Sequence, residues 1–108
     1  MYFIYVIYSP TSDVYYTGYS TNHNRRLEEH NTSTLNTFTS KHRPWILKSV
    51  FKCGPDESDA VRLERFIKKQ KSRKLLEQLC KPSFIPSGAL DQLVRVPHLR
   101  DYISLSLI

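Results

Sequence analysis

The sequence predicts an α+β fold in which a small three-stranded antiparallel sheet is flanked by helices, in the order β-β-α-β-α-α. Two closely spaced segments near the N-terminus, residues 2–8 and 14–19, are almost entirely β-branched or aromatic, as strands commonly are. Residues 56–71 instead carry apolar side chains at spacings of three and four, the period of a helix with one buried face. A chain of 108 residues is long enough for one hydrophobic core and too short for two.

The first two strands are expected to form a hairpin. Residues 9–13, with the sequence Ser-Pro-Thr-Ser-Asp, have turn chemistry and lie between the two runs of strand formers. If the pairing is symmetric about the bond between Pro10 and Thr11, Tyr5 lies directly opposite Tyr16. Two phenols would then share one face of the sheet.

A short helix of about two turns should follow the hairpin. The polar residues 20–22 offer N-cap groups, and the segment from there to His30 contains no Gly or Pro. Arg26 and His30 are four residues apart and so lie on one helix face, whereas Arg25 points about 100° away. Of the two neighbouring arginines, only Arg26 can therefore be directed to the same side as His30.

The next part of the chain combines a polar loop with the third strand. Residues 31–40 are mostly Asn, Thr and Ser, with Leu35 and Phe38 as two apolar anchors. Residues 45–51 alternate loosely and are rich in large apolar side chains, which favours a strand that ends at a Cys-Gly-Pro sequence. Trp45 is assigned to the core rather than to stacking on a base.

Two helices complete the predicted core. The first begins at an acidic cluster that contains Asp56 and ends in a group of lysines, so the charges at both ends favour the helix dipole. Its buried stripe consists of Ala60, Leu63 and Ile67. Ser72 is expected to cap a second short helix, whose leucines pack against the core.

A domain boundary is expected near residue 80, between a folded domain of residues 1–80 and a C-terminal tail of residues 81–108. Prolines and a glycine interrupt any helix or strand period in the tail. Its last seven residues alternate apolar and polar side chains, so they either add an edge strand or lack fixed structure.

The charge balance favours a polyanionic partner. The chain has 16 Lys and Arg against 10 Asp and Glu, which gives a net charge of +6. Cys53 and Cys80 form no CxxC pair and are too few for a disulfide framework. The apolar N-terminal run lacks a basic flank and is too short for a signal sequence or a membrane span. A cytoplasmic location without a membrane partner is therefore expected.

Several short motifs occur in a fixed order along residues 2–79. Phe-Ile-Tyr ends at Tyr5, Tyr-Thr-Gly begins at Tyr16, and Arg26 follows that glycine by eight residues. His-Asn begins at His30, and Leu-Glu on the main helix ends at Glu64. In this order and spacing the chain resembles the GIY-YIG nuclease superfamily, in particular its small stand-alone bacterial members. Phe stands in place of the first glycine of the GIY motif.

The resemblance implies an endonuclease that hydrolyses phosphodiester bonds in DNA with low sequence specificity. It further implies a divalent cation, Mg²⁺ or Mn²⁺, and no small-molecule cofactor. Tyr16 would orient or deprotonate the attacking water, and Tyr5 would hydrogen-bond the phosphate or the water shell of the metal. Arg26 would stabilise the transition state, His30 would donate to the phosphate or assist proton transfer, and Glu64 would hold the metal.

Basic residues around these motifs are candidates for contact with DNA phosphates. They are Lys41, Arg43, Lys68, Lys69, Lys71 and Arg73.

Taken singly, the same residues have ordinary explanations. A tyrosine in a strand usually packs, and Glu64 has Lys68 four residues on, the spacing of a surface ion pair. The alternative function is therefore a nucleic-acid-binding module of the same fold with negligible catalysis. RNA recognition by an aromatic sheet is disfavoured because the chain lacks the RRM signature. The sequence predicts no oligomeric state.

Overall fold

The computed structural model describes residues 1–34 and 37–97 of the chain. The elements are β1 (Tyr2–Ser9), β2 (Val14–Ser20), α1 (His23–Thr32), β3 (Ile46–Gly54), α2 (Glu57–Lys69), α3 (Arg73–Leu79) and β4 (Val94–Arg95). Single turns of 3₁₀ helix lie at Thr39–Lys41 and Gly88–Leu90. The strands form one antiparallel sheet in the order β2-β1-β3-β4. The predicted α+β class is confirmed, and the elements follow the predicted order as far as α3.

The described part of the chain contains four strands, not the three predicted. β4 pairs with β3, with Arg95 opposite Phe51 and Val94 opposite Lys52. The Arg95 guanidinium lies 4.8 Å from the centroid of the Phe51 ring and donates to the carbonyl of Leu79 at 2.8 Å. A strand of two residues in a segment interrupted by prolines has no sequence period, so the pairing is visible only in three dimensions.

The hairpin register differs from the prediction by two residues, since Tyr5 pairs with Gly18 and not with Tyr16. The loop comprises residues 10–13, because Asp13 adopts a φ of 55° and its amide donates to the carbonyl of the last β1 residue at 2.7 Å. Tyr5 and Tyr16 still point to one face, as diagonal neighbours across the two strands.

Side chains of β1 alternate between the two faces of the sheet, and different helices cover the two faces. Ile4 and Val6 pack against α2 and α3. Tyr5 and Ile7 point to the opposite face, where α1 and Trp45 pack. Trp45 is buried, as predicted. The helices on the first face contribute the buried residues Ala60, Leu63, Ile67 and Leu79.

The helices begin where local sequence signals predict. The side chain of Asn22 accepts a hydrogen bond from the amide of Arg25 at 3.0 Å and caps α1. Ser72 caps α3 in the same way, through the amide of Leu75 at 3.1 Å. α1 has ten residues and is thus longer than the two turns expected. Within residues 1–34 and 37–97, no helix is long and apolar enough to cross a membrane.

Residues 81–97 lie against the same core as the rest of the domain. Leu90 and Leu93 are buried with the α2 and α3 side chains, and the Gln92 amide donates to the carbonyl of Cys53 at 2.8 Å. The boundary near residue 80 stays a prediction. The predicted Leu35 anchor and the alternating last seven residues lie outside the described part of the chain.

Candidate active site

Tyr5 takes its position because a glycine faces it across the hairpin. Its side chain is buried on the face of the sheet that α1 covers, and Gly18 pairs with it on β2. A Cβ added at Gly18 would lie 2.3 Å from the hydroxyl oxygen and 2.5 Å from Cζ of Tyr5. The missing side chain therefore leaves the space that the phenol occupies over β2. Of the two roles predicted for Gly18, close backbone approach and positive φ, the structure supports close approach.

A buried chain of hydrogen bonds leads from Tyr5 through His30 to Thr39. The Tyr5 hydroxyl lies 2.9 Å from Nε2 of His30, and Nδ1 of His30 lies 2.9 Å from Oγ1 of Thr39. The Trp45 indole donates to the Thr39 carbonyl at 2.8 Å and fixes this 3₁₀ turn to the core. The sequence does not single out Thr39, because it lies in a loop of many similar hydroxyl side chains.

Burial sets the protonation states of Tyr5 and His30. It raises the pKa of Tyr5 to about 12, against an opposing effect of Arg26, and Tyr16 and Glu64 add smaller increases. Burial also lowers the pKa of His30 to about 4, and the positive charge of Arg26 acts in the same direction. At neutral pH the Tyr5 phenol therefore keeps its proton, and the His30 ring is uncharged.

Arg26 projects from α1 into a cleft of about 460 Å³ that Tyr16, Glu29 and His30 also line. Its Nη1 donates to Oε1 of Glu29 at 2.8 Å. Arg25 donates to the other carboxylate oxygen of Glu29, also at 2.8 Å, but its side chain is 58% exposed whereas that of Arg26 is 37% exposed. Glu29 thus holds both arginines, and Arg26 is the one of the two that lines the cleft.

Tyr16 borders the same cleft and is half-buried. Its ring meets the His30 ring edge to face, with centroids 5.3 Å apart. Nζ of Lys68 lies 4.7 Å from the centroid of the Tyr16 ring, and the Phe38 ring stacks on it at 6.1 Å with an interplanar angle of 27°. Tyr16 therefore connects α1, the polar loop and α2.

Glu64 approaches the site from α2, the helix on the other face of the sheet. Its side chain is only 19% exposed, and its Oε1 pairs with Nζ of Lys68 at 3.3 Å. Its negative charge is one of the causes that raise the pKa values of Tyr5 and Tyr19, after the larger effect of burial. The carboxylate therefore acts electrostatically on the tyrosines of the hairpin. Residues 1–34 and 37–97 contain no group of three or more His, Cys, Asp and Glu side chains suited to a metal ion.

Four of the predicted DNA-contact residues are lysines that face solvent or a cavity. Lys68 and Lys71 line a second cavity, of about 400 Å³, which shares Tyr16 with the Arg26 cleft. Lys41 and Lys69 are exposed on the surface. These lysines surround the entrance to the tyrosine cluster with positive charge.

The two predicted arginines have partners within the protein. Arg43 donates to the carbonyl of His30 at 2.6 Å and to the carbonyl of Ser33, so it closes the C-terminal end of α1. Arg73 donates to the carboxylate of Asp13 at 2.6 Å and to its carbonyl at 2.8 Å. Arg73 therefore ties the tip of the hairpin to the start of α3.

Residues 1–77 of the chain match the family model of the GIY-YIG catalytic domain. The match extends from β1 into α3 and includes the tyrosines, the helix arginine and histidine, and the α2 glutamate described above. No curated protein was found to match the chain. A GIY-YIG catalytic domain implies nuclease-type activity on a nucleic acid. Because the match covers well over half of its 108 residues, the chain belongs to the GIY-YIG catalytic domain family.

Proposed function

We propose that the chain is an endonuclease that uses a divalent metal ion, Mg²⁺ or Mn²⁺, to hydrolyse phosphodiester bonds in DNA with little sequence preference. The observation that carries this proposal is the grouping of Tyr5, Tyr16, Arg26 and His30 around one cleft, with Glu64 beside it. Phosphodiester hydrolysis needs an oriented water, donors for the charge that grows on the phosphate, and help for the leaving oxygen.

Arg26 is assigned to the phosphate. Its guanidinium is permanently charged and lines the cleft, and Glu29 engages it through Nη1. The other N–H groups can bind non-bridging phosphate oxygens, whose charge increases in the transition state. Loss of one such donor typically lowers a rate by about 100-fold or more.

The tyrosines and His30 are assigned different tasks. Tyr16 borders the cleft and orients or deprotonates the attacking water. Tyr5 keeps its proton at neutral pH, so it serves as a hydrogen-bond donor and not as a base. Both ring nitrogens of His30 are engaged, by Tyr5 and by Thr39, and the ring is uncharged at neutral pH. We therefore assign His30 the positioning of Tyr5, which differs from the two roles that the resemblance implies.

The surroundings of Glu64 fit a metal ion held by a single carboxylate. Mg²⁺ beside a phosphate commonly takes one or two carboxylate ligands and completes its shell with water. Glu64 is largely buried, and Lys68 engages it through one oxygen, Oε1. A cation bound there would neutralise charge on the phosphate. Lys68 would compete with that cation for the carboxylate.

A cytoplasmic location belongs to the same proposal. Cys53 and Cys80 form no disulfide with each other. Burial raises the pKa of the Cys53 thiol to about 11, which keeps it protonated and unreactive. Both features suit a reducing compartment.

The deciding experiment is a cleavage assay on branched, nicked, duplex and single-stranded DNA with Mg²⁺ or Mn²⁺. We expect the wild type to cut at least one substrate, and Glu64→Ala and Arg26→Ala to be slower by about 100-fold or more. Glu57→Ala, in the same helix as Glu64, is the matched control and should retain activity. Equal rates for wild type, Glu64→Ala and Arg26→Ala on every substrate would show that the proposal is wrong.

The alternative is a nucleic-acid-binding module without significant catalysis, which the lysines around the site favour. It predicts a salt-dependent affinity, with a log–log slope of about −0.9 per duplex phosphate neutralised. Glu64→Ala would leave this affinity unchanged or slightly higher, and no substrate would be cut. The lysines to be tested as phosphate contacts are Lys41, Lys68, Lys69 and Lys71.

A further inference from the structure

Phe38 is an exposed aromatic residue at the border of the candidate active site. Its side chain is 50% exposed, although phenylalanine is usually buried. It lies just before the 3₁₀ turn that carries Thr39. None of the roles assigned above uses it.

Three neighbouring rings hold Phe38 in this position. It stacks on Tyr16 at 6.1 Å and contacts His42 at 4.5 Å and Trp45 at 6.3 Å between centroids. Trp45 is itself buried and fixed by its hydrogen bond to Thr39. The exposed ring is thus supported from behind by a packed aromatic cluster.

Phe38 also separates two cavities that carry positive charge. It lines the cleft that contains Arg26 and the second cavity that contains Lys68 and Lys71. A strand of nucleic acid that passes from one cavity to the other would present its phosphates to these cations. The aromatic ring would then lie beside a base of the same strand.

We propose that Phe38 is a stacking platform for one unpaired base of a DNA substrate, next to the phosphate that is cut. A base inside a duplex already stacks on neighbours at both of its faces, so it cannot lie on Phe38 unless it leaves the helix. The preferred substrate is therefore DNA with an unpaired nucleotide at the site: a single strand, a flap or a junction. The inference rests on the proposed function, because it names the substrate class of the same site.

Binding without metal isolates the stacking contact from catalysis. The probes are a short single-stranded DNA, the same DNA with one abasic position placed in turn along the strand, and a blunt duplex. Affinities are measured by fluorescence anisotropy in EDTA. We expect Phe38→Ala to weaken single-strand binding by about tenfold, the typical effect of losing one base–aromatic stack. Duplex binding should change by less than about twofold.

Two matched variants separate stacking from exposed apolar area. Phe38→Trp keeps a π-face and should restore the affinity, whereas Phe38→Leu keeps apolar volume and should not. Phe66→Ala removes another partly exposed phenylalanine, on α2, and should have no effect on binding. Phe38→Leu also serves if Phe38→Ala does not fold.

The abasic series gives the sharpest outcome. One abasic position should weaken wild-type binding as much as Phe38→Ala does, and the same abasic strand should cause no further loss in Phe38→Ala. Additive losses, or equal losses on single strand and duplex, would overturn the stacking platform, even if the protein cuts DNA. If the coupling is found and no substrate is cut, the proposed nuclease function fails and the stacking site stands.

Discussion

The hydroxyl of Tyr5 lies 2.9 Å from Nε2 of His30, a residue 25 positions further along the chain. The contact joins β1 to α1 and continues to Thr39 in the 3₁₀ turn. The placement of one hydroxyl therefore depends on three separate segments. Each has to fold before the phenol can point into the site.

Lowering the pH should destabilise the protein through His30. Its pKa falls from an ordinary 6.5 to about 4 on folding, so the unfolded chain takes up this proton at higher pH than the folded chain. The stabilisation from a neutral His30 is complete above about pH 6.5 and is lost as the pH falls towards 4, an effect of roughly 2 kcal/mol.

Urea unfolding of wild type and His30→Gln between pH 7 and 4.5 measures this loss. Glutamine cannot titrate, so the stability difference between the two proteins should shrink as the pH falls. The carboxylates of Asp13 and Glu29 have lowered pKa values and lose stabilisation in acid as well, but they do so in both proteins. A constant difference across the range would contradict the prediction.

Gly18→Ala should damage both stability and activity. The new methyl group would lie 2.3 Å from the Tyr5 hydroxyl, so the phenol would have to leave its hydrogen bond to His30. We expect a loss of about 1 to 3 kcal/mol in the free energy of unfolding, as for other overpacked sites, together with a large fall in the cleavage rate. Tyr5→Phe is the companion variant, because it removes the hydroxyl without adding volume. Wild-type stability in Gly18→Ala would show that the close approach is unimportant.

Arg26 and Arg25 should differ sharply in function although both pair with Glu29. Arg26→Ala should lower the single-turnover cleavage rate by about 100-fold or more, whereas Arg25→Ala should stay within about threefold of wild type. Both ion pairs are partly exposed, so each substitution should change the free energy of unfolding by less than about 1 kcal/mol. Similar rates for the two variants would argue against a phosphate contact by Arg26.

Removing Lys68 should improve metal binding. Its ammonium pairs with Glu64 at 3.3 Å and would repel a cation at the same carboxylate. Lys68→Met should therefore bind Mn²⁺ about threefold more tightly, as followed by electron paramagnetic resonance of the free ion. Lys69→Met, one residue on, is the control and should match the wild type, and Glu64→Gln should bind no Mn²⁺ at this site. Weaker binding by Lys68→Met would mean that Lys68 supports the metal site and does not compete with it.

The local features of this fold are predictable from the sequence because they depend on neighbouring residues. Asn22 and Ser72 cap their helices through amides three residues on, and the α2 stripe follows from a simple helical period. The hairpin was predicted, but its register was not, because the conformation of Asp13 decides which residues belong to the loop. β4 also escapes prediction, since its two residues gain strand geometry only from the edge of β3.

The candidate site divides in the same way. The spacing of Arg26 and His30 indicates a shared helix face, and motif resemblance adds the tyrosines and Glu64. Thr39 and Phe38 have no such signal, because their importance comes from contacts to His30 and to Tyr16 that a polar loop does not reveal. Arg43 and Arg73 look like DNA contacts in sequence, yet the folded chain supplies carbonyls and a carboxylate that bind them.

The helices that carry the site lie on opposite faces of one sheet, and this makes cutting contingent on the whole domain. Arg26 and His30 belong to the layer formed by α1, and Glu64 belongs to the layer formed by α2. If one layer detaches, the remaining layer still carries basic side chains but lacks part of the catalytic set. In the proposed nuclease, a partly folded molecule could therefore hold nucleic acid without breaking it, and DNA damage by immature chains would be avoided.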